Sequence, residues 1–219
     1  CDGATMASLL DTTIGIATQL DRALGYEANA GGTSFLDDPL GMIGTFQVAG
    51  PGVTITTNRS APHQLATVKW DDEAVAPPEA TLIKDGVLVD FQTTREQAGW
   101  LAPYYKKANR PITSNGCATS ARALEITMQM MPNLAMTANP SGGDLKALVA
   151  AVPDGILIEG GYASCDWQAR SGLLYGKMRQ IKHGRVGADL THGAIAFDTL
   201  DLWKKIVAVG NASTTGGVD

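Results

Sequence analysis

The segment Thr81–Phe91, TLIKDGVLVDF, places two arms rich in β-branched and aliphatic residues on either side of the pair Asp85-Gly86. An Asp-Gly pair favours a two-residue turn, because both of its residues adopt positive φ at low cost. The segment therefore predicts a tight β-hairpin. Since its strands are joined directly and not through a helix, the hairpin favours an antiparallel α+β fold over a parallel, doubly wound sheet.

Other segments extend this antiparallel prediction along the chain. Lys177–Val186 resembles the first hairpin, with His183-Gly184 at its turn. Apolar residues at mostly helical spacing, interrupted once at Gly15, predict a helix over Ala7–Leu24. The remaining predictions are strands at Phe46–Ala49 and Val53–Thr57 and helices at Thr94–Leu101, Asp144–Ala151 and Asp198–Val209. We thus expect largely antiparallel hairpins with a few helices.

Composition narrows the classes of partner. The chain has 219 residues, 44% of them hydrophobic, which is enough for one large domain or two small ones. A net charge of −5 without a run of Lys or Arg predicts no direct binding of nucleic acid or of anionic membranes. No apolar stretch reaches the roughly 20 residues of a membrane span. Three widely spaced cysteines, an odd number, indicate a reducing cytoplasm.

Several strings in a fixed order resemble the TldD/PmbA family. They are Thr18–Leu36, Val68–Glu73, Leu82–Leu88, Thr93–Ala98 and Asn115–Ala118. The resemblance extends from about Leu10 to Gly210. It implies the fold of a TldD/PmbA C-terminal domain, a single domain over 1–219 belonging to a longer protein, with an N-terminal helix and a degenerate metal motif in 1–36.

Active members of this family carry His-Glu-x-x-x-His on a helix ahead of the segment matched by Leu20-Asp21-Arg22, and a third zinc ligand near the C-terminus. Such ligands hold Zn²⁺ with one open position, so that bound water loses a proton near pH 7 and the Glu accepts it. By that resemblance, the two histidine positions fall on Asp11 and Ile16, and the glutamate position falls on Thr12.

None of these three residues matches the family motif. Ile16 has no lone pair, Thr12 is not a base at neutral pH, and Asp11 alone is a poor anchor for zinc. The tail to Asp219 contains neither Cys nor His. The resemblance therefore implies no catalytic residue, no metal ligand and no cofactor in this chain, although active relatives use zinc.

Candidate substrate-binding residues are His63, Asn115, Gly116 and Cys117, which lie in segments that the family shares. Cys117 as a nucleophile would need a neighbouring base, and none is visible in the sequence. The other histidines, His183 and His192, and the remaining cysteines are expected to be structural or at the surface.

Two further groups have competing interpretations. Asp71-Asp72-Glu73 could suggest a cation site, but consecutive strand residues point to opposite faces, which favours a solvated acidic turn. Met128, Met130 and Met131 suggest either an adaptable apolar groove or, more commonly, core packing. The four tryptophans are expected to anchor a core or an interface.

Two functions follow from the resemblance. The first is a non-catalytic or diverged peptidase subunit that binds peptide substrates alongside an active TldD-like partner, as a homo- or heterodimer. The alternative is a metal-dependent peptidase in its own right, with ligands from sequence outside this chain or from an unrecognised site. A purely structural role is the third possibility.

Overall fold

The computed structural model describes residues 1–191 and 193–214. Its helices in chain order are α1 Gly3–Leu10, α2 Leu20–Ala23, α3 Pro39–Met42, α4 Arg95–Ala98, α5 Ala102–Lys107, α6 Leu145–Ala150 and α7 Thr199–Lys204. Its strands are β1 Ile55–Thr57, β2 Ala80–Lys84, β3 Val87–Leu88, β4 Ala118–Thr119, β5 Met128–Gln129, β6 Leu134–Met136, β7 Asp154–Cys165, β8 Ser171–Lys182, β9 Arg185–Leu190 and β10 Ile195–Asp198.

Antiparallel pairing links all the named strands. One sheet has the order β3-β2-β1-β6, a second has β10-β8-β7 with β9 also paired to β8, and β4 pairs with β5. The long ladder between β7 and β8 forms the largest part of the second sheet. The predicted α+β class with antiparallel hairpins is confirmed.

Both predicted hairpins form, and both turn on positive φ. Asp85 and Gly86 have φ of 48° and 82°, and His183 and Gly184 have φ of 51° and 70°. These values fit a turn whose twist matches that of the flanking strands. The local rule that identified Asp85-Gly86 therefore also holds for His183-Gly184.

Several predicted elements were wrong in extent or in type. The helix predicted over Ala7–Leu24 begins at Gly3, widens into a π-turn at Asp11–Gly15 and breaks before α2. Phe46–Ala49 is not a strand, because only Gln47 makes an isolated bridge, to Val87. The helix predicted over Thr94–Leu101 starts one residue later but continues through a 3₁₀ turn at Gly99–Leu101 into α5.

Helix α1 lies along the edge of β7 and bonds to it through polar side chains one helical turn apart. Asp2 Oδ2, Thr5 Oγ1 and Ser8 Oγ accept from the backbone N–H groups of 160, 161 and 163 at 2.9, 2.8 and 3.1 Å. Positions three residues apart share one face of a helix, so this row of side chains faces the strand. The motif region is thereby fixed against the second sheet.

One large hydrophobic cluster joins the N-terminal helix to both larger sheets, with members from Leu9 to Trp203. Trp203 is fully buried, and its Nε1 donates to Thr13 Oγ1 at 2.9 Å. A smaller cluster of Val149, Leu157 and Ile181 lies under α6. The helix that carries the motif positions is therefore part of the core.

Candidate functional site

The three positions of the degenerate motif lie on the turns that continue α1. Asp11 is exposed as a residue, but the neighbouring protein partly desolvates its carboxylate, and this raises its pKa above the ordinary value. Thr12 Oγ1 donates to the carbonyl of Ala163 at 3.4 Å, at the long end for a hydrogen bond. Ile16 packs against the main core. Two of the three side chains thus connect the helix to the rest of the fold.

These residues do not fit a zinc ion. Catalytic zinc requires three protein ligands with N, S or carboxylate donors, and here only Asp11 offers one. Within residues 1–191 and 193–214, no group of three His, Cys, Asp or Glu side chains is placed to hold a metal. His192 and the tail from 215 to 219 lie outside the described residues.

A buried pair of glutamines ends the motif helix. Gln92 Nε2 donates to the carbonyl of Gly15 at 2.6 Å and to Thr18 Oγ1 at 2.8 Å. Gln129 Nε2 donates to Gln92 Oε1 at 3.2 Å, while Gln129 Oε1 accepts from Leu20 N at 3.0 Å. The helix end is therefore held from two sides, and Gln129 connects it directly to β5.

Of the predicted substrate-binding residues, the sequence-adjacent group Asn115, Gly116 and Cys117 is buried. Asn115 Nδ2 donates to the carbonyl of Phe91 at 2.6 Å, and the N–H of Cys117 donates to the carbonyl of Thr93 at 3.2 Å. These bonds hold the segment that leads into β4. A substrate-binding role for the group stays a prediction.

The thiol of Cys117 and the guanidinium of Arg59 determine the electrostatics of this segment. Burial raises the pKa of the Cys117 thiol to about 12, which leaves it protonated at neutral pH and unreactive as a nucleophile. Arg59 Nη1 donates to the carbonyl of Gly116 at 2.8 Å. Hydrogen bonds to residues outside the segment therefore hold residues 115–117 in place.

His63, the fourth predicted residue, lies apart from this group on an exposed loop. Its φ is 62°, a conformation uncommon for residues other than glycine. The side chain is free to contact a ligand from solvent. Its proposed role in substrate binding remains untested by the fold.

The acidic run at Asp71 corrects one sequence-based expectation. Asp71 is buried instead of solvated, and its carboxylate accepts from the N–H groups of Glu73, Val75 and Ala118 at 3.0, 2.8 and 3.2 Å. With both oxygens engaged in these bonds, Asp71 organises a loop against β4. The expected solvated acidic turn is wrong for this residue.

An unexpected apolar surface lies along the segment that contains β5, and we call it the β5 face. It consists of the alternating residues Leu124, Ile126, Met128 and Met130, which are 105%, 90%, 58% and 52% exposed. Of the intervening side chains, Thr127 bonds to Glu73 and the buried Gln129 bonds to Leu20, whereas Glu125 is exposed. The expectation that these methionines pack in the core is therefore wrong for Met128 and Met130. Large apolar side chains exposed along one segment are candidates for a binding surface.

Comparison with known proteins supports a family assignment. A sequence model described as the PmbA/TldA metallopeptidase C-terminal domain matches residues 2–218. The chain belongs to the PmbA/TldD family. No match was found among curated protein sequences.

Solved structures share the PmbA/TldD-type fold with this chain at low sequence identity. TldE from Thermococcus kodakarensis is 16% identical with a TM-score of 0.69, over 96% of this chain and 43% of that protein. A candidate modulator of a DNA gyrase from Thermotoga maritima is 18% identical with a TM-score of 0.69, over 99% and 45%. A candidate modulator of DNA gyrase from Bacteroides thetaiotaomicron is 19% identical with a TM-score of 0.64. The match covers 95% of this chain and 40% of that protein.

The PmbA/TldD chain spans less than half the length of these solved relatives. Among its described residues, no helix has the length and apolarity needed to cross a bilayer. The sequence indicated the motif positions, but it did not reveal the glutamine pair or the β5 face. The alternation of Leu124, Ile126, Met128 and Met130 is the one sequence signal for this face.

Proposed function

We propose that the chain is a non-catalytic or diverged TldD/PmbA subunit that binds peptide beside an active TldD-like partner. The observation that carries the proposal is the use made of the motif positions. Thr12 bonds to the carbonyl of Ala163 in β7 and the half-buried Ile16 packs against the core, so both side chains support the fold, and neither offers the imidazole of the family motif. Position Asp11 retains one carboxylate, which is insufficient for a zinc site.

Peptide binding is supported by the β5 face beside the end of the motif helix. Gly15 lies against Met131 and Leu134. If residue 15 had a Cβ atom, that atom would lie 2.7 Å from Met131 Sδ and 2.8 Å from Leu134 Cδ1. The extended segment therefore crosses the helix at close range. An extended peptide could use alternating apolar side chains there, with His63 on a separate loop as a further contact.

The predicted group Asn115, Gly116 and Cys117 would act in this proposal by holding β4, the partner strand of β5. Ala118 pairs with Gln129 and Thr119 with Met128. A shift of the 115–117 segment would therefore displace the β5 face. We propose a cytoplasmic homo- or heterodimer with a TldD/PmbA-type subunit as the working assembly.

The proposal is tested by metal content and by reconstitution. We expect the purified chain to contain no stoichiometric zinc by mass spectrometry and to hydrolyse no unstructured peptide. Mixed with a TldD-type subunit, it should lower the KM for peptide without changing the metal content. A partner whose motif glutamate is replaced by glutamine serves as the control, since any remaining hydrolysis would have to come from this chain.

Stoichiometric zinc together with chelator-sensitive hydrolysis by the chain alone would establish the competing function, a peptidase in its own right. Absence of any effect on the partner's KM, with no peptide bound by the chain itself, would refute the binding role.

A further inference from the structure

A shallow depression of about 200 Å³ opens on the surface where α2, α3 and the 3₁₀ turn at Gly99–Leu101 meet. Its walls include Leu24, Leu40 and Trp100, and its rim carries Asp37 and Asp38. Leu20, the first residue of α2, lines the depression, and its backbone N–H donates to Gln129 Oε1 in β5. The depression is therefore linked to β5, the strand of the β5 face, through one buried residue.

An aromatic pair forms part of this surface. The ring of Tyr26 stacks on Trp100 with centroids 5.2 Å apart and planes 16° from parallel. Tyr26 is 72% exposed, and Leu24 and Leu40 are also exposed. Aromatic faces at a water-accessible surface attract cations, and a guanidinium group in addition stacks on them.

The charges around the depression are unbalanced. Asp37 is exposed and forms no ion pair or hydrogen bond within the described ranges 1–191 and 193–214. Asp38 Oδ1 accepts from Gly41 N at 3.2 Å as the cap of α3. Arg170 and Asp37 both line an adjoining depression, but the two side chains form no ion pair within the described residues. The rim thus has room for a positive charge.

We propose that this depression binds the side chain of an arginine in a peptide held by the subunit. The aliphatic part of the side chain would lie on Leu24 and Leu40, and the guanidinium would stack near Trp100 and bond to Asp37. A planar, always charged donor with several N–H groups matches an aromatic face next to a carboxylate better than an ammonium does. The inference rests on the proposed peptide-binding function and adds the class of residue recognised.

The test uses N-acetyl-arginine amide and N-acetyl-citrulline amide, which have nearly the same shape and differ in charge. Binding is followed by NMR of the ¹⁵N-labelled indole groups, with Trp100→Phe to assign the Trp100 signal. We expect the arginine probe to shift this signal and to bind at least about fivefold more tightly than citrulline, about 1 kcal/mol.

Asp37→Asn should abolish the preference for arginine, while Asp154→Asn, which removes an exposed carboxylate on β7, should retain it. Equal affinity for the two probes, or an unchanged preference in Asp37→Asn, would overturn the inference.

Peptide binding is measured separately by fluorescence anisotropy with a labelled, unstructured peptide carrying one arginine and with its citrulline counterpart. If both peptides bind equally, the proposed function survives and the arginine site is refuted. If the small probe binds at Trp100 but neither peptide binds, the arginine site survives and the peptide-binding role is refuted.

Discussion

Replacing Gln92 with alanine should strongly destabilise the fold, because this side chain is fully buried and is bonded at both ends of its amide. The substitution removes the donors to Gly15 O and Thr18 Oγ1 and the acceptor for Gln129 Nε2. A buried polar group left without its partner costs about 1–3 kcal/mol. The carbonyl of Gly15 and the amide of Gln129 both lose a partner, so we expect a loss of about 2–5 kcal/mol.

Urea denaturation followed by circular dichroism measures this change. With a denaturant dependence of about 2–3 kcal/mol per molar urea, the midpoint should fall by about 1–2 M. Gln64→Ala is the matched control, since Gln64 is exposed and an exposed substitution away from special features usually changes stability by less than about 0.5 kcal/mol. A loss below 1 kcal/mol for Gln92→Ala would show that water replaces the side chain and that the glutamine pair does not hold the helix end.

Two further predictions concern Asp21 and His183. Burial raises the pKa of Asp21 to about 6, so the folded state binds this proton more tightly than the unfolded state does. Protonated Asp21 therefore stabilises the fold fully below about pH 4, and this stabilisation is lost as the pH rises through about 6. The loss is on the order of 1–2 kcal/mol after allowance for solvent screening. Asp21→Asn should remove that part of the difference between urea denaturation at pH 4 and pH 7; an unchanged difference would contradict the assigned pKa. At the second hairpin, His183→Val should cost about 1–2 kcal/mol in thermal or urea denaturation, because a β-branched residue is strained at a φ of 51°, whereas His183→Asn should be neutral or slightly stabilising. Equal stability of the two variants would refute this reading of the turn.

What could be predicted from sequence was decided by local rules. The turns at Asp85-Gly86 and His183-Gly184 depend on φ preferences of adjacent residues, and both hairpins were predicted. The break after the motif helix could not be predicted, because the groups that terminate it, Gln92 and Gln129, are distant in sequence. Phe46–Ala49 has strand composition but only one bridge, since tertiary neighbours decide whether such a segment finds a partner strand.

The candidate site also has features that the sequence predicts and features that depend on the fold. Substitution at Asp11, Thr12 and Ile16 was evident once the resemblance fixed the register, but the contacts that use Thr12 and Ile16 depend on the fold. The exposure of Met128 and Met130 was not predictable from methionine content, because alternating apolar residues ordinarily mark the buried side of a strand. Here the polar side of the segment faces inward, since Gln129 meets Gln92.

The row of polar side chains at α1 has a consequence for the free edge of the second sheet. An open strand edge is a template on which another chain can add a strand. Along residues 160–163 of β7, the N–H groups at 160, 161 and 163 are taken by Asp2, Thr5 and Ser8, so an incoming strand would have to displace a helix first. The opposite side carries a bulge where β8 pairs with β9, which disturbs the regular ladder. The helix that leads into the motif positions therefore covers this part of the β7 edge against the addition of a strand.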